Sequence, residues 1–248
     1  VKLIEKLALS LDELAREEVL VQAWKKASAH IRYHNWFSDT LELDLTAVNL
    51  QTFISNLSMK IRSGNASSSD PLRMVPAPKS QEWGVFGNGK WAPMEASGAS
   101  ARLRPLAHVS IEDQVVTTAL MLLLADRVET AQGDPRNPIT DLPVDRVVSY
   151  GNRLFCDREG SELRHRWGSA KLYRGYFQDY RSFLERPDAI AEALPQSDSK
   201  VVILQSDLRQ FYDRVAPELL HSSLRKFQKN ISEMEFFDFA CGYLDWRW

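Results

Sequence analysis

The chain has 248 residues, 44% of them hydrophobic and 26% charged, with a formal net charge of −2. That composition suits a globular protein with a buried core and argues against a small, purely electrostatic nucleic-acid binder. The longest apolar run, Ala119 to Ala125, is far too short to span a membrane. The N-terminal stretch alternates charge with Leu and has neither the apolar block nor the cleavage site of a secretory signal. Cys156 and Cys241 make no metal-type spacing and no disulfide framework, so a reducing cytoplasm is the expected compartment.

In chain order, residues 2–33 read as helix. Ser10 and Glu13 form a capping-box pattern, and Leu11, Leu14, Val19, Val21 and Trp24 recur near helical spacing. His30 and His34 stand four apart at its end. A metal pair there would need a further ligand, so packing on Tyr33, Trp36 and Phe37 is the preferred reading. Residues 47–61 form a second amphipathic helix with Leu50, Phe53, Ile54, Leu57 and Ile61 on one stripe. The stretch from Gly64 to Asp70 is a loop. Residues 71–109 carry Pro71, Pro76, Pro78, Trp83, Val85 and Phe86 and predict short strands, with a hairpin turn at Asn88-Gly89. Ser110 caps a strong helix reaching about Thr130, which Gly133 and the prolines up to Pro143 end.

Residues 160–194 read as mostly helical, with a turn at 195–200. The β-branched run Val201 to Leu204 then reads as a buried central strand. Pro217 suits the first turn of a helix over Glu218 to Phe227. A start on Val1 and an aromatic-rich end, Phe236 to Trp248, predict that the chain is a piece of a longer protein.

The charge is unevenly distributed. Arg146 to Arg186 holds nine Lys or Arg against five Asp or Glu, a local +4. The same stretch carries the aromatics Tyr150, Phe155, Trp167, Tyr173, Tyr176, Phe177, Tyr180 and Phe183. Two readings stand: a groove that holds a strand through phosphates and bases, or a helical surface whose aromatics face a core.

The segment Val201 to Asp213 carries the sharpest chemistry. An apolar strand ends on Asp207, then a short turn brings Phe211 and Tyr212. A carboxylate fixed at a strand end suits a divalent ion beside phosphate; an Asp there is also a common turn or helix-cap residue. The pattern strand-x-x-D-x-x-x-F-Y-D, followed by a helix with Glu218-Leu219-Leu220, resembles motif A of reverse transcriptases, especially bacterial ones related to group II intron and retron enzymes. Three further segments agree in order. Arg102-Leu103-Arg104-Pro105-Leu106 resembles the R-P-L fingers motif, Ile111 to Val116 resembles the helix start that follows it, and Ser149-Tyr150-Gly151-Asn152-Arg153 resembles the S-Y/F-G-x-R motif. The resemblance covers about residues 75–228.

What the resemblance implies is an RNA-directed DNA polymerase with two Mg²⁺ ions, or Mn²⁺ in their place. Its partners are an RNA template, a DNA product or primer and deoxynucleotides. A role in bacterial antiphage defence adds a non-coding RNA or an accessory defence protein as partner. Asp207 becomes the catalytic metal ligand, joined by the Leu208 carbonyl. Tyr212, next to Phe211, takes the sugar-gate position, where a ring beneath the incoming sugar rejects a 2′-hydroxyl. Arg104, with Arg102 and more weakly Lys90, contacts the triphosphate, which a guanidinium binds bidentately. Gln114 and Arg153 shape the nucleotide and template side, against helix-cap and salt-bridge readings of the same residues. Asp213 reads as structural.

The implied fold is α+β: a helical extension over 1–62, fingers over 63–195, and the start of a ferredoxin-like palm over 196–248. Two departures stand out. Ala107-His108-Val109 replaces the usual G-I-P, and the family's Y-x-D-D motif is absent, with no Asp-Asp pair anywhere in the chain. These 248 residues are therefore not expected to polymerise alone. The competing readings are a catalytically silent RNA-binding protein on a polymerase scaffold, a retron or intron enzyme, and a helical scaffold with accidental motif matches.

Overall fold

The computed structural model describes residues 7–34, 39–64, 71–78, 83–94, 103–137, 147–193, 202–208 and 211–245. It is a mixed structure of helices and small antiparallel sheets. The expected first helix is two: α1 (Leu11–Leu14), capped by Ser10 Oγ accepting the Glu13 N–H, and α2 (Glu17–Tyr33). Arg16 between them is extended, with φ −63° and ψ 131°. Ending α1 there leaves the Ala15 carbonyl without a helical donor, and the Ser58 hydroxyl supplies one at 2.5 Å. The expected helix over 47–61 likewise divides. α3 (Thr40–Val48), whose N-cap Asp39 accepts the Leu41 N–H, meets α4 (Leu50–Arg62) at Asn49, a residue with φ −108° and ψ 26° outside helical geometry.

The proline- and tryptophan-bearing segment forms strands, as predicted. β1 (Arg73–Pro78) pairs antiparallel with β4 (Leu103–His108), Arg73 opposite His108 and Pro78 opposite Leu103. Between them β2 (Trp83–Val85) and β3 (Trp91–Pro93) make a hairpin with the Trp83 and Trp91 rings stacked 6.1 Å apart. Its turn closes through the Phe86 N–H donating to the Lys90 carbonyl, and Gly89, at φ +72°, takes the conformation a β-carbon would resist.

Ser110 Oγ accepts the Asp113 N–H and starts α5 (Ile111–Gln132), which Gly133 stops at φ +78°. This helix is apolar on most of its circumference, with Val115, Val116, Ala119, Leu122, Leu123 and Ala125 all buried, so it is the central rod. Leu20, Ala23, Ala27 and Ile31 of α2 are buried in the same core, and the small alanines allow a close approach. Lys26, enclosed on this face, donates to the carbonyls of Arg166 at 3.2 Å and Ser169 at 2.5 Å; burial, then the neighbouring Lys25, pulls its amine down to about 8.

Residues 160–194 correct the helical expectation. β5 (Cys156–Glu159) and β6 (Glu162–His165) form a hairpin, and the helix, α6 (Tyr176–Ala193), begins only at Tyr176. The reason is local: Gly160, at φ +60°, opens a two-residue turn, and a glycine at the first central position is a hairpin signal. The strand expected at Val201 to Leu204 is also corrected. Val202 to Leu208 lies in no strand and is exposed, Leu204 by 93%, because no described strand pairs with it; Val201 lies outside the described residues. α7 (Phe211–Arg214), α8 (Pro217–Arg225, with Pro217 in its first turn as expected) and α9 (Met234–Gly242) follow. Phe236, Phe237 and Tyr243 join one core with α1, α2, α4, α5 and the β5–β6 hairpin.

Two ion pairs lock this arrangement. Arg153, 2% exposed, donates through Nε to Glu129 Oε2 at 2.8 Å, through Nη1 to the Ser149 carbonyl at 2.6 Å, and through Nη2 to the Gly133 carbonyl at 2.6 Å. The other Glu129 oxygen accepts the Leu154 N–H at 2.9 Å. Asn152, at φ +51°, turns the chain immediately before this arginine. At the far side Arg127 grips Glu233 bidentately, at 2.5 and 2.9 Å, and reaches the Phe227 carbonyl at 2.8 Å. The Arg127 guanidinium, helped by the Lys229 N–H, holds the Glu233 carboxyl down at about 2.

Removing one partner of a fully buried pair strands the other charge. Arg153→Ala is therefore expected to cost about 3–5 kcal/mol in urea unfolding, whereas the double variant Glu129→Leu with Arg153→Met recovers most of that loss. A drop below about 1 kcal/mol would show that Glu129 finds another donor. Glu233 supplies a pH test. Its folded-state pKa lies below the ordinary 4.5, so its stabilisation is complete above that value and is lost as pH falls from there through about 2. Glu233→Gln should flatten this part of the curve of urea midpoint against pH; an unchanged slope would exclude Glu233 as the source.

Candidate nucleic-acid interface

Among the described residues, one concavity lies where the Ser149-Tyr150-Gly151 turn faces α6. Val148, Ser149, Tyr150 and Gly151 form one wall, and Tyr176, Tyr180 and Phe183 the other, around about 370 Å³. The three helix residues sit at i, i+4 and i+7, so they share one face. Tyr176 and Tyr180 stack with centroids 5.4 Å apart and planes 16° from parallel; Tyr180 and Phe183 follow at 6.4 Å and 28°; Tyr150 meets Phe183 at 6.0 Å. These rings do not face a core: Tyr176 is 60% exposed, Tyr180 45% and Phe183 46%. The basic-aromatic stretch divides: Trp167 and Tyr173 pack against the core, as one reading expected, whereas Tyr176, Phe177, Tyr180 and Phe183 lie exposed on α6.

Each wall has its own anchor. The turn is held by Arg153, whose Nη1 binds the Ser149 carbonyl. The helix is held at its start by Asp179, buried inside the first turn, which pairs with Arg174 at 2.9 Å. Further along, Pro187 lacks an N–H and leaves the Phe183 carbonyl without a helical donor at the end of the aromatic face. Arg186 stands close enough to act on the Tyr150 hydroxyl; burial raises that phenol above its ordinary range and the guanidinium opposes the rise. Arg181, on the same helix, pairs with Glu185 at 2.7 Å in the open.

The residues singled out from the sequence have different surroundings. Arg153 is enclosed in the core while Asp207 is exposed to solvent. In this fold Arg153 organises the backbone around it and is closed off from a ligand. Gln114 Nε2 donates to the Val109 carbonyl at 3.1 Å, a contact at the start of α5. Arg104 is placed on β4 opposite Ala77, but its side chain, like that of Tyr212 on α7 and of Asp213, lies outside the described residues, as does all of Arg102. Leu208 and Phe211 are exposed, and Lys90 sits exposed on the β2–β3 turn. The paired anchors Glu129 and Asp179 were not read from the sequence: each lies within an ordinary helical pattern, and only its burial beside an arginine distinguishes it.

Among the described residues no group of three or more His, Cys, Asp or Glu side chains stands ready to hold a metal ion. The His30 and His34 rings, 4.8 Å apart, pack as aromatics, with the edge of His30 against Tyr173. Asp207 is a single exposed carboxylate, and a two-metal centre needs further anionic ligands. No described helix is long and apolar enough to cross a membrane. Comparison with protein-family models, with curated proteins and with solved structures finds no match to this chain.

Proposed function

We propose that the chain is the strand-binding and nucleotide-approach part of an RNA-directed DNA polymerase of the reverse-transcriptase type, working in bacterial antiphage defence. The observation that carries this reading is the arrangement of the motif segments along one helix. The R-P-L segment is strand β4 and runs directly into the Ser110 cap of α5. The S-Y-G-N-R turn is locked to the other end of α5 through Arg153 and Glu129. At 1.5 Å per residue, the 22 residues of α5 separate these segments by about 33 Å. In the proposed reading the R-P-L segment serves the approach of the nucleotide and the S-Y-G-N-R turn the strand that directs its choice.

In this reading Asp207, on the open segment 202–208, supplies one carboxylate to the reacting centre, and Tyr212 stands under the sugar of the incoming nucleotide. The paired aspartates that would complete the centre are missing from these 248 residues, so the 248-residue piece contributes binding and position without turnover. The second reading is a silent RNA-binding protein built on the polymerase scaffold.

The test is deoxynucleotide incorporation on a primed RNA with Mg²⁺ by the full-length natural protein, beside Asp207→Asn. Loss of activity by at least two to three orders of magnitude in the variant is the expected result, roughly what removing one fixed charge-stabilising group costs. Equal rates in both would remove Asp207 from the chemistry. No incorporation by either, with RNA still bound, would establish the silent reading.

A further inference from the structure

We propose that the groove between Val148–Gly151 and the Tyr176–Tyr180–Phe183 face of α6 is a docking site for single-stranded RNA, its unpaired bases stacking on the exposed rings. The choice of RNA over DNA rests on the polymerase reading above, in which RNA is the template; the groove itself rests on the structure.

Three observations point to a polynucleotide strand. First, the exposed surface is aromatic in type: Tyr176, Tyr180 and Phe183 form a row of exposed rings stacked on one another, and a base of any kind can extend such a row or lie along it, so the site needs no sequence preference. Second, the charge is segregated. Arg146 to Arg186 carries a local +4 in a chain whose net charge is −2, so the remaining residues carry −6. Of the cations that flank the rings in sequence, Arg174 and Arg181 are paired with Asp179 and Glu185, while Lys171, before α6, and Arg186, on it, stand outside those two pairs. Arg186, on α6, acts on the hydroxyl of Tyr150 in the opposite wall, so one cation stands at the groove itself. Third, the groove is shallow and open, at the small end of the roughly 300–1,000 Å³ typical of ligand pockets. It suits successive bases laid across a platform better than an enclosed small molecule.

The geometry also sets a preference for unpaired strands. A base must present its face to a ring, and in a duplex those faces are already stacked on their neighbours. The Arg153 network fixes the turn wall before the strand arrives, and the Asp179–Arg174 pair fixes the first turn of α6, which lessens the ordering needed on binding.

The experiment is fluorescence anisotropy with a labelled single-stranded oligouridine and with a matched RNA duplex, using the full-length protein without Mg²⁺ or nucleotide. Because it needs no turnover, it can succeed where the incorporation assay fails, and the reverse. Tyr176→Ala and Tyr180→Ala are each expected to weaken strand binding roughly 5- to 150-fold, with circular dichroism and the thermal midpoint showing that the fold persists. Tyr180→Trp should restore affinity. Arg186→Gln should lower the slope of log affinity against log salt by about 1. Unchanged affinity in both ring variants overturns the proposal, as does equal affinity for the duplex. No strand binding by the unmodified protein overturns it too, and leaves the aromatic face to a protein partner.

Discussion

The burial of one guanidinium organises the middle of this protein. Arg153 is taken out of water almost completely, and a buried charge is tolerated only when its donors find acceptors. Those acceptors come from separate pieces of chain: the Glu129 carboxylate on α5, the Gly133 carbonyl where α5 stops, and the Ser149 carbonyl in the following turn. Satisfying one side chain therefore fixes where the helix ends, how the chain returns, and where β5 begins, since the Leu154 N–H takes the remaining Glu129 oxygen. The positive φ at Asn152 is the local cost of aiming the arginine inward.

From that point outward the anchorage weakens. The β5–β6 hairpin is tied back to α5 by the Asp126 carboxylate accepting the His165 N–H and by Thr130 at Leu163, and to α2 through Lys26. Burial drives His165 down to about 3 and keeps the neighbouring Cys156 thiol protonated, so this pair behaves as packing. α6 buries only Asp179 along its length, whereas α5 buries most of its surface. A helix fixed at its first turn and open thereafter opens locally more readily than a core helix. The groove thus has a stiff wall on the Arg153 side and a more yielding one on the α6 side.

Much of the helical framework was legible because its signals are local. Ser110 with the apolar run behind it, Gly133 at the end, and Pro217 at a first turn each act within a few residues. The Asn88-Gly89 turn was legible for the same reason. The breaks at Arg16 and Asn49 were not, since no Gly or Pro marks them and the Ser58 hydroxyl that satisfies the first comes from 43 residues away. The hairpin at 156–165 was hidden because its strands are short and charged, leaving Gly160 as its only strong mark. At the site, the basic-aromatic stretch was visible as composition, but which rings share a face depends on α6 starting at Tyr176. The inward turn of Arg153 depends on a carboxylate 24 residues earlier.

Exposed apolar surface occurs in two chemically different forms, and the difference bears on function. Val202, Ile203 and Leu204 are aliphatic, two of them β-branched, and lead to a single carboxylate. Such side chains pack against a sheet neighbour but offer a passing ligand little directional contact. The rings of α6 offer flat faces, two of them with hydroxyl edges, beside arginines, and rings of this kind stay favourable while partly wet. A net charge of −2 conceals this arrangement, because the acidic excess lies outside the stretch that carries the groove. The proposed strand binding rests first on these rings, and the local cationic excess along the same stretch of sequence adds to it.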